Sequence, residues 1–259
     1  MTEWLLPAAV LAVAVLYGSV GHGGATGYIA VMGLVGLSPE VIRPTALVLN
    51  LVVATIGTVQ FVRAGHVRRD LFVPLALASV PAAAIGGGLS LPTAAFEGVL
   101  GLVPAFSAVR IAGDVFRPGT RPAAGSLSAG EPLESRRVSP ASLAGLGAGL
   151  GLASGLTGVG GGVFLTPLLL ELQVATTRQV AAVSVVFILV NSAAGLAGWL
   201  SSGRNLAVID TSVVVAAAVG GLVGSQAGAF QLPVRGLRTL MAVVLAVASV
   251  KLLLARVTT

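Results

Sequence analysis

Long apolar runs separated by short charged turns make up most of this chain. Eight runs can be distinguished, at about residues 5–37, 44–62, 71–91, 92–112, 141–172, 179–200, 208–230 and 234–255. A helix that crosses a bilayer needs about 20 consecutive, mainly apolar residues. Most of the runs have that length, and the pattern predicts an all-α integral membrane protein embedded in a lipid bilayer.

Composition supports a membrane protein and excludes a soluble one. Hydrophobic residues are 56% of the chain, charged residues are 9%, and mean hydropathy is +1.00. A soluble domain typically carries about 25% charged residues. The net charge of +6 comes from basic residues that cluster at the ends of apolar runs, where the positive-inside rule explains them. No basic stretch carries interleaved aromatic residues, which argues against nucleic-acid binding.

The two apolar halves of the chain repeat one another. The spacing Gly-x-x-Gly-x-Gly-Gly occurs at Gly18–Gly24 and again at Gly155–Gly161. Further pairs follow in the same order: Gly57 with Gly195, Phe61 with Trp199, Gly65 with Gly203, and Gly86 with Gly224. We therefore predict a first membrane repeat at 1–112, a cytoplasmic linker at 113–140 and a second repeat at 141–259. Repeated halves are typical of secondary transporters, which bind substrate where the repeats meet.

The first run of each repeat is too long for one ordinary span and contains a glycine cluster. Each glycine weakens a helix by roughly 1 kcal/mol relative to alanine, so each repeat is predicted to open with a Gly-broken helical hairpin. If the hairpin returns to its starting side, the repeats are inverted; a single crossing would make them parallel. The run length favours inverted repeats. The loop Arg63–Asp70 and the central linker are rich in arginine and are predicted to be cytoplasmic.

The two glycine clusters are the candidate substrate site. Irregular backbone at membrane depth is tolerated where it is buried in protein or lines a cavity, and a helix amino terminus offers N–H groups to an anion. The candidate substrate-binding residues are Gly21, His22, Gly23, Gly24, Thr26, Asn50, Thr157, Gly158, Gly160, Gly161 and Asn191. Close helix packing is the alternative role for the glycines, and inter-helix hydrogen bonding for the two asparagines.

His22 lies inside the first cluster, where the second repeat has Val159. Its imidazole could donate to an anion or carry a proton, because its ordinary pKa is near neutrality. The alternative is a histidine bonded to a backbone carbonyl in a static loop. The hydroxyl of Tyr28 lies near the same cluster. Arg43 and Arg178 are predicted to enter equivalent helices from loops, as surface anchors rather than as a substrate gate.

Several chemistries have no motif in this sequence. The chain has no cysteine, which removes disulfides and thiolate metal sites. No acidic pair is predicted deep in a span, and no nucleotide-binding loop, hydrolase elbow or metalloprotease motif occurs. We therefore expect neither an enzyme nor a metal or cofactor.

Short motifs in both halves resemble a known family. Gly-x-Gly-Gly is followed by Tyr28-Ile29-Ala30 in the first half and by Phe164-Leu165-Thr166-Pro167 in the second. Pro44-Thr45-Ala46-Leu47 and Arg63-Ala64-Gly65-His66 complete the set. Together they resemble the sulfite exporter TauE/SafE family of membrane permeases. His22 departs from the plain glycine-rich form, and the lack of cysteine excludes a thiol relay.

The resemblance implies a permease for small sulfur-containing anions or organosulfur compounds, such as sulfite, thiosulfate or sulfonates, in the bacterial inner membrane. Together with the repeats, it predicts a secondary transporter whose site lies at the bilayer midplane between the repeats, with a proton as the coupling ion. A passive anion channel and a membrane scaffold or accessory subunit are the alternatives.

Overall fold

All regular structure in the described part of the chain is helical. The computed structural model describes residues 4–89, 138–206, 209–233, 236 and 239–240. Four helices within them are long and apolar enough to cross a membrane: Glu40–Arg63, Arg69–Gly88, Thr177–Ser201 and Thr211–Gln231. The prediction of a helical, multi-pass membrane protein is confirmed.

Some predicted segments lie outside the described residues. These are the run at 92–112, nearly all of the linker at 113–140 and nearly all of the last run at 234–255. Each repeat is therefore described for its first four helices.

The first half contains four helices, named α1 to α4 in chain order: Leu5–Ser19, Ala25–Leu34, Pro39–Arg63 and Arg69–Gly88. Helix α3 begins with Pro39 after an extended Ser38 (ψ 152°), because proline suits the first helical position. It ends before Gly65, whose φ of +73° closes the turn. The helix thus starts five residues earlier than its apolar run, whose first residue is Pro44.

The second half repeats this order as α5 to α8: Pro140–Thr157, Gly162–Glu171, Thr177–Ser201 and Thr211–Gln226. A π-helical turn, Ala227–Gln231, extends α8. Among these helices, side chains cap the starts of α7 and α8: Thr176 and Gln179 form a capping box on α7, and Asp210 accepts from the backbone of Ser212 on α8. Such caps satisfy backbone N–H groups that a helix leaves unpaired.

Each glycine cluster lies between two helices. The first break, residues 20–24, separates α1 from α2, and the second break, residues 158–161, separates α5 from α6. The residues that precede α2 and α6 are Gly24 and Gly161, with φ of +98° and +80°. A side chain disfavours this left-handed conformation. The overlong runs are thus each divided where the glycines concentrate.

The two halves of the chain pack against each other through equivalent pairs of helices. Helix α1 packs along α8, and α5 packs along α4. A Cβ added to Gly86 of α4 would lie 2.4 Å from the carbonyl oxygen of Leu152 on α5. Its equivalent, Gly224 of α8, faces the carbonyl oxygen of Val15 on α1 at 2.3 Å. Glycine permits this close backbone approach, and the same kind of contact occurs in both halves of the chain.

Helices α3 and α7 contact each other at the centre of this arrangement. Arg43, near the start of α3, lies against Trp199, near the end of α7. Further along α3, Gly57 faces Val185, which precedes Trp199 in α7. Positions rise along one helix as they fall along the other. These two equivalent helices therefore run in opposite directions.

Candidate functional site at the two glycine breaks

The first break is pressed against both α3 and α7. All of residues 20–24 are buried. A Cβ on Gly21 would lie 2.3 Å from the carbonyl oxygen of Ala181, and one on Gly23 would lie 2.3 Å from Oδ1 of Asn50. Contacts this short require the neighbouring helix to move, so the glycines set the distance between the break and the two long helices.

The second break contacts the same pair of helices. A Cβ on Gly160 would lie 2.7 Å from Nδ2 of Asn50, and one on Gly161 would lie 2.8 Å from the ring of Phe187. Gly158 faces the side chain of Arg43, whose Cγ would be 2.9 Å from an added Cβ. The predicted glycines of both breaks therefore lie against a shared set of side chains.

Asn50 joins the two breaks. Its Oδ1 accepts a hydrogen bond from the backbone N–H of Ala25, the first residue of α2, at 3.1 Å. Its Nδ2 donates to the carbonyl of Val159 in the second break at 3.2 Å and contacts the hydroxyl of Ser192 at 3.4 Å. The side chain is fully buried. One amide thus holds the backbone of both breaks within the span of a single side chain.

Asn191 lies elsewhere, between α7 and α4. Its Nδ2 donates to the hydroxyl of Ser79 at 3.1 Å and to the carbonyl of Phe187 at 2.8 Å. Its Oδ1 is buried and has no partner in the described part of the chain. The structure brings Asn191 to the second break only indirectly, through the Phe187 ring that covers Gly161.

His22 has one bound and one unbound ring nitrogen. Its side chain is 2% exposed, and Nδ1 lies 3.2 Å from the carbonyl oxygen of Val20. A carbonyl only accepts, so Nδ1 carries the proton and Nε2 of the neutral ring is an acceptor. This Nε2 is buried without a partner among the described residues. A buried polar atom left unpaired costs free energy, which makes it a candidate ligand atom.

The hydroxyls near the breaks differ in how they are used. Thr26 donates to the hydroxyl of Tyr17 at 3.1 Å. Thr157 donates to the carbonyl of Ala153 in its own helix at 2.7 Å and accepts from a backbone N–H in the second break. Tyr28, beside Gly24, has a buried hydroxyl with no partner within the described ranges. Of these three residues, Tyr28 is therefore the one whose hydroxyl has no hydrogen bond in the described structure.

Ser154 is a buried hydroxyl that the sequence reasoning missed. Its Oγ has no partner among the residues described, and its Cβ lies 3.2 Å from a Cβ added to Gly161. A serine inside a glycine-rich helix gives no distinctive pattern. The repeat offers a signal. The residue equivalent to Ser154 in the first half is Tyr17, whose hydroxyl is bonded to Thr26. The residue equivalent to Thr26 in the second half is Val163, which has no hydroxyl to bond Ser154.

Arg43 lies within α3, so its prediction as a loop residue is wrong. The helix begins at the Ser38–Pro39 boundary and not at the first apolar residue. Its Nη2 donates to the carbonyls of Gly155 at 2.6 Å and Gly86 at 3.2 Å. Arg178 likewise lies in the first turn of α7 and donates to the carbonyl of Leu232 at 2.9 Å. Each arginine ties a long helix to another element.

The interior around the breaks carries no fixed charge. The buried polar side chains of the described residues are serine, threonine, asparagine and His22, without a lysine, arginine, aspartate or glutamate. Tyrosine hydroxyls and backbone groups add further polar atoms. A ligand here would meet hydrogen-bonding groups and would find charge only at the edge, where Arg43 is half-buried.

Comparison with known proteins assigns the family. The family model described as "Sulfite exporter TauE/SafE" matches residues 6–252. "Probable membrane transporter protein y4hK" of Sinorhizobium fredii (strain NBRC 101917 / NGR234) is 38% identical over 248 residues, covering 96% of this chain and 97% of that protein. No solved structure matches the chain. Both matches include the two glycine breaks and the long helices against them, and the chain belongs to the sulfite exporter TauE/SafE family of membrane transporters.

Proposed function

We propose that this protein is a secondary transporter of small sulfur-containing anions or organosulfur compounds, such as sulfite, thiosulfate or sulfonates, across the bacterial inner membrane. The substrate site lies near the midplane, where the two glycine breaks meet. The observation that carries this proposal is that Asn50 accepts a hydrogen bond from the N–H of Ala25 in the first half and donates one to the carbonyl of Val159 in the second. Transporters built from two repeats bind substrate at such a junction.

Unpaired polar atoms supply the contacts for the ligand. The hydroxyls of Tyr28 and Ser154 can donate to oxyanion oxygens, and Nε2 of His22 can accept from a protonated ligand or carry the coupling proton. The glycines allow backbone atoms to approach the ligand closely. Among the described residues no carboxylate is buried near the breaks, so none would repel an anion there.

We infer inverted repeats, at 1–112 and 141–259, joined by a cytoplasmic linker at 113–140. The opposite directions of α3 and α7 support this arrangement, because equivalent helices of inverted repeats cross the membrane in opposite senses. At 1.5 Å per residue, α1 and α2 extend about 22 and 15 Å. Both are shorter than the hydrocarbon core of about 30 Å, which supports a Gly-broken hairpin. Alternating access then follows from movement of one repeat against the other.

Binding and transport can be tested separately. Purified protein is heated with sulfite, thiosulfate, sulfoacetate or taurine, with chloride at equal ionic strength as the reference. A ligand at a hundred times its dissociation constant stabilises by about 2.7 kcal/mol, which a thermal unfolding curve detects. Proteoliposomes then measure uptake of the same compounds with and without a pH gradient.

The proposal expects a selective stabilisation by a sulfur compound and its accumulation against a gradient. Uptake that only ever follows the anion's own gradient would instead identify a passive channel. Absence of both stabilisation and flux would contradict the proposal and favour a scaffold or accessory subunit.

A further inference from the structure

We propose that Arg43, Trp199 and Arg204 form an anion-capture site that collects a small soluble oxyanion and passes it to the second glycine break. The inference rests on the proposed function and adds a second, peripheral binding position to it. The ligand class is an oxyanion whose oxygens can accept hydrogen bonds from a guanidinium group. We call these three residues the capture cluster.

Two positive charges lie on one aromatic ring in the capture cluster. The guanidinium carbons of Arg43 and Arg204 lie 5.1 and 4.1 Å from the ring centroid of Trp199. The ring attracts both cations, but like charges this close also repel each other. Within the described residues, no carboxylate pairs with either arginine. Among the described residues the positive charge of the cluster has no acidic partner, and an anion would neutralise it.

The arginines are held in place without an anion. Arg43 donates to the carbonyls of Gly86, Leu89 and Gly155, and Arg204 donates to those of Gly87 and Gly88. Most of these carbonyls end α4, and the negative end of a helix dipole attracts cations. The guanidinium groups are thereby preorganised, which lowers the cost of binding.

A buried donor of the capture cluster is unpaired within the described residues. Nε of Arg43 is buried and has no hydrogen-bond partner in the part of the chain described. Arginine offers donors only, so this atom needs an acceptor. An oxyanion oxygen meets that need and adds charge to the hydrogen bond, which strengthens it.

The capture cluster adjoins the proposed central site. The aliphatic part of Arg43 lies against Gly158, and its guanidinium contacts the carbonyl of Gly155. Asn50 follows Arg43 on the same helix by seven residues, a rise of about 10 Å. The guanidinium of Arg43 and the amide of Asn50 therefore belong to side chains on one helix, about two turns apart, and both side chains contact the second break.

At the opposite end of the molecule, the described residues form no such cluster. Under the repeat alignment, Phe61 takes the place of Trp199 and His66 that of Arg204. Arg178 there donates to the carbonyl of Leu232, so it holds a helix end as Arg43 does. Arg178→Gln is consequently a matched control, which removes an arginine with the same kind of carbonyl contact.

Transport kinetics test the capture cluster. Arg43→Gln, Arg204→Gln and Arg178→Gln are reconstituted in proteoliposomes after their folding is checked by thermal unfolding. A lost charge-assisted contact corresponds to about a tenfold rise in KM, and we expect that rise for sulfite in the first two variants. Maximal velocity of Arg204→Gln should stay within about twofold, because the hydrogen bonds of Arg204 go to Ser202, Gly87 and Gly88 and not to either break. Arg178→Gln should keep the KM of the parent protein.

Fluorescence of Trp199 provides a readout independent of transport. The chain has two tryptophans, and Trp4→Phe removes the exposed one near the amino terminus. Titration of this variant with sulfite in phosphatidylcholine vesicles should change the emission of Trp199, whereas chloride at equal ionic strength should not. Arg43→Gln in this background should abolish the change.

The outcomes separate the two proposals. An unchanged KM in both cluster variants, or an equal rise of KM in Arg178→Gln, would overturn the capture cluster. The proposed function would still stand in that case, because the parent protein transports the anion. If the emission of Trp199 responds to sulfite but no transport is measured, the capture cluster is supported and the proposed function is contradicted. A response that phosphatidylglycerol in the vesicles eliminates would assign the arginines to lipid phosphate and overturn capture of a soluble anion.

Discussion

The two glycine breaks share a backbone shape and differ in their surroundings. Both end in a glycine with left-handed φ before a short helix, and both press against α3 and α7. Their equivalent side chains are His22 and Val159, Thr26 and Val163, Tyr28 and Leu165, and Asn50 and Ile188. The polar member of every pair belongs to the first half. Both halves keep the glycines that shape the backbone. At these four positions the hydrogen-bonding side chain comes from the first half, whereas the second half contributes Ser154, Thr157 and Ser192 near its own break.

The two breaks also differ in the charged side chains beside them. Gly158 of the second break lies against Arg43, whereas Gly21 of the first lies against Ala181. An anion at the junction would therefore meet neutral polar groups from both breaks and a guanidinium near the second one. The comparison teaches that two similar backbone breaks can contribute different chemistry to one site.

The largest expected effect comes from filling the backbone junction. Gly160→Val places a branched side chain at a φ of +81° and against the amide of Asn50. We expect transport to fall by more than about a hundredfold, because misplacing binding groups by about 1 Å has effects of that size. Proteoliposome uptake measures it, with size-exclusion chromatography to verify assembly.

Gly33→Ala is the matched control, since a Cβ there has open space around it. Gly23→Ala extends the comparison to the first break, where the added Cβ also meets Asn50. If both breaks contact the ligand, Gly23→Ala and Gly160→Ala should impair uptake alike. Normal uptake by Gly160→Val would remove the second break from the site.

Asn50→Leu should destabilise the protein and stop transport. The substitution leaves the N–H of Ala25 and the carbonyl of Val159 without their amide partner. Each buried group left unpaired costs about 1–3 kcal/mol, and a thermal unfolding midpoint records the loss. Asn191→Leu serves for comparison, because Asn191 bonds Ser79 and not a break. Equal stability of Asn50→Leu and the parent protein would contradict the bridging role.

His22→Phe should reduce transport by about tenfold without comparable loss of stability. Phenylalanine keeps an aromatic ring, slightly larger than imidazole, but removes Nε2, which is unpaired in the described structure. One hydrogen bond to a ligand corresponds to a change of this order. Uptake driven by a pH gradient should fall more than exchange at equal pH, if His22 carries the coupling proton. Val159→Phe places the same ring at the equivalent position of the second break and tests whether the loss of transport is specific to position 22. Equal losses in both variants would indicate a packing effect.

The smallest expected effect concerns His66, which lies in the turn between two spans. Partial burial lowers its pKa below the ordinary 6.5; the nearby charge of Arg178 also lowers it, and the carbonyl of Ala229 opposes the shift. As pH falls through 6.5, the unfolded chain takes up the proton first, so stability decreases slightly on the acid side and is unaffected above it. NMR titration of the imidazole should give a midpoint below 6.5.

Arg178→Gln should raise that midpoint, because it removes one of the causes of the shift. A midpoint at or above 6.5 in the parent protein would contradict this account. The measurement also sharpens the comparison of the two ends of the molecule, where His66 takes the place of Arg204.

Local sequence determined the helices and the positions of the breaks. Apolar runs of span length, proline at the start of α3 and glycine clusters act through the backbone of neighbouring residues. They predicted a helical membrane protein and a duplicated order of elements. The first turn of α3 escaped prediction, because Ser38 and Pro39 start the helix before its apolar pattern begins.

The tertiary structure decided which side chains meet. Asn50 and Val159 are hydrogen-bonded although they are 109 positions apart. The hydroxyl of Thr157 donates to the carbonyl of Ala153 in its own helix. No pattern in the sequence indicated that Arg204 shares the ring of Trp199 with Arg43. The physical reason is that helix formation depends on neighbours along the chain, whereas a binding site depends on side-chain contacts that exist only after the helices have packed.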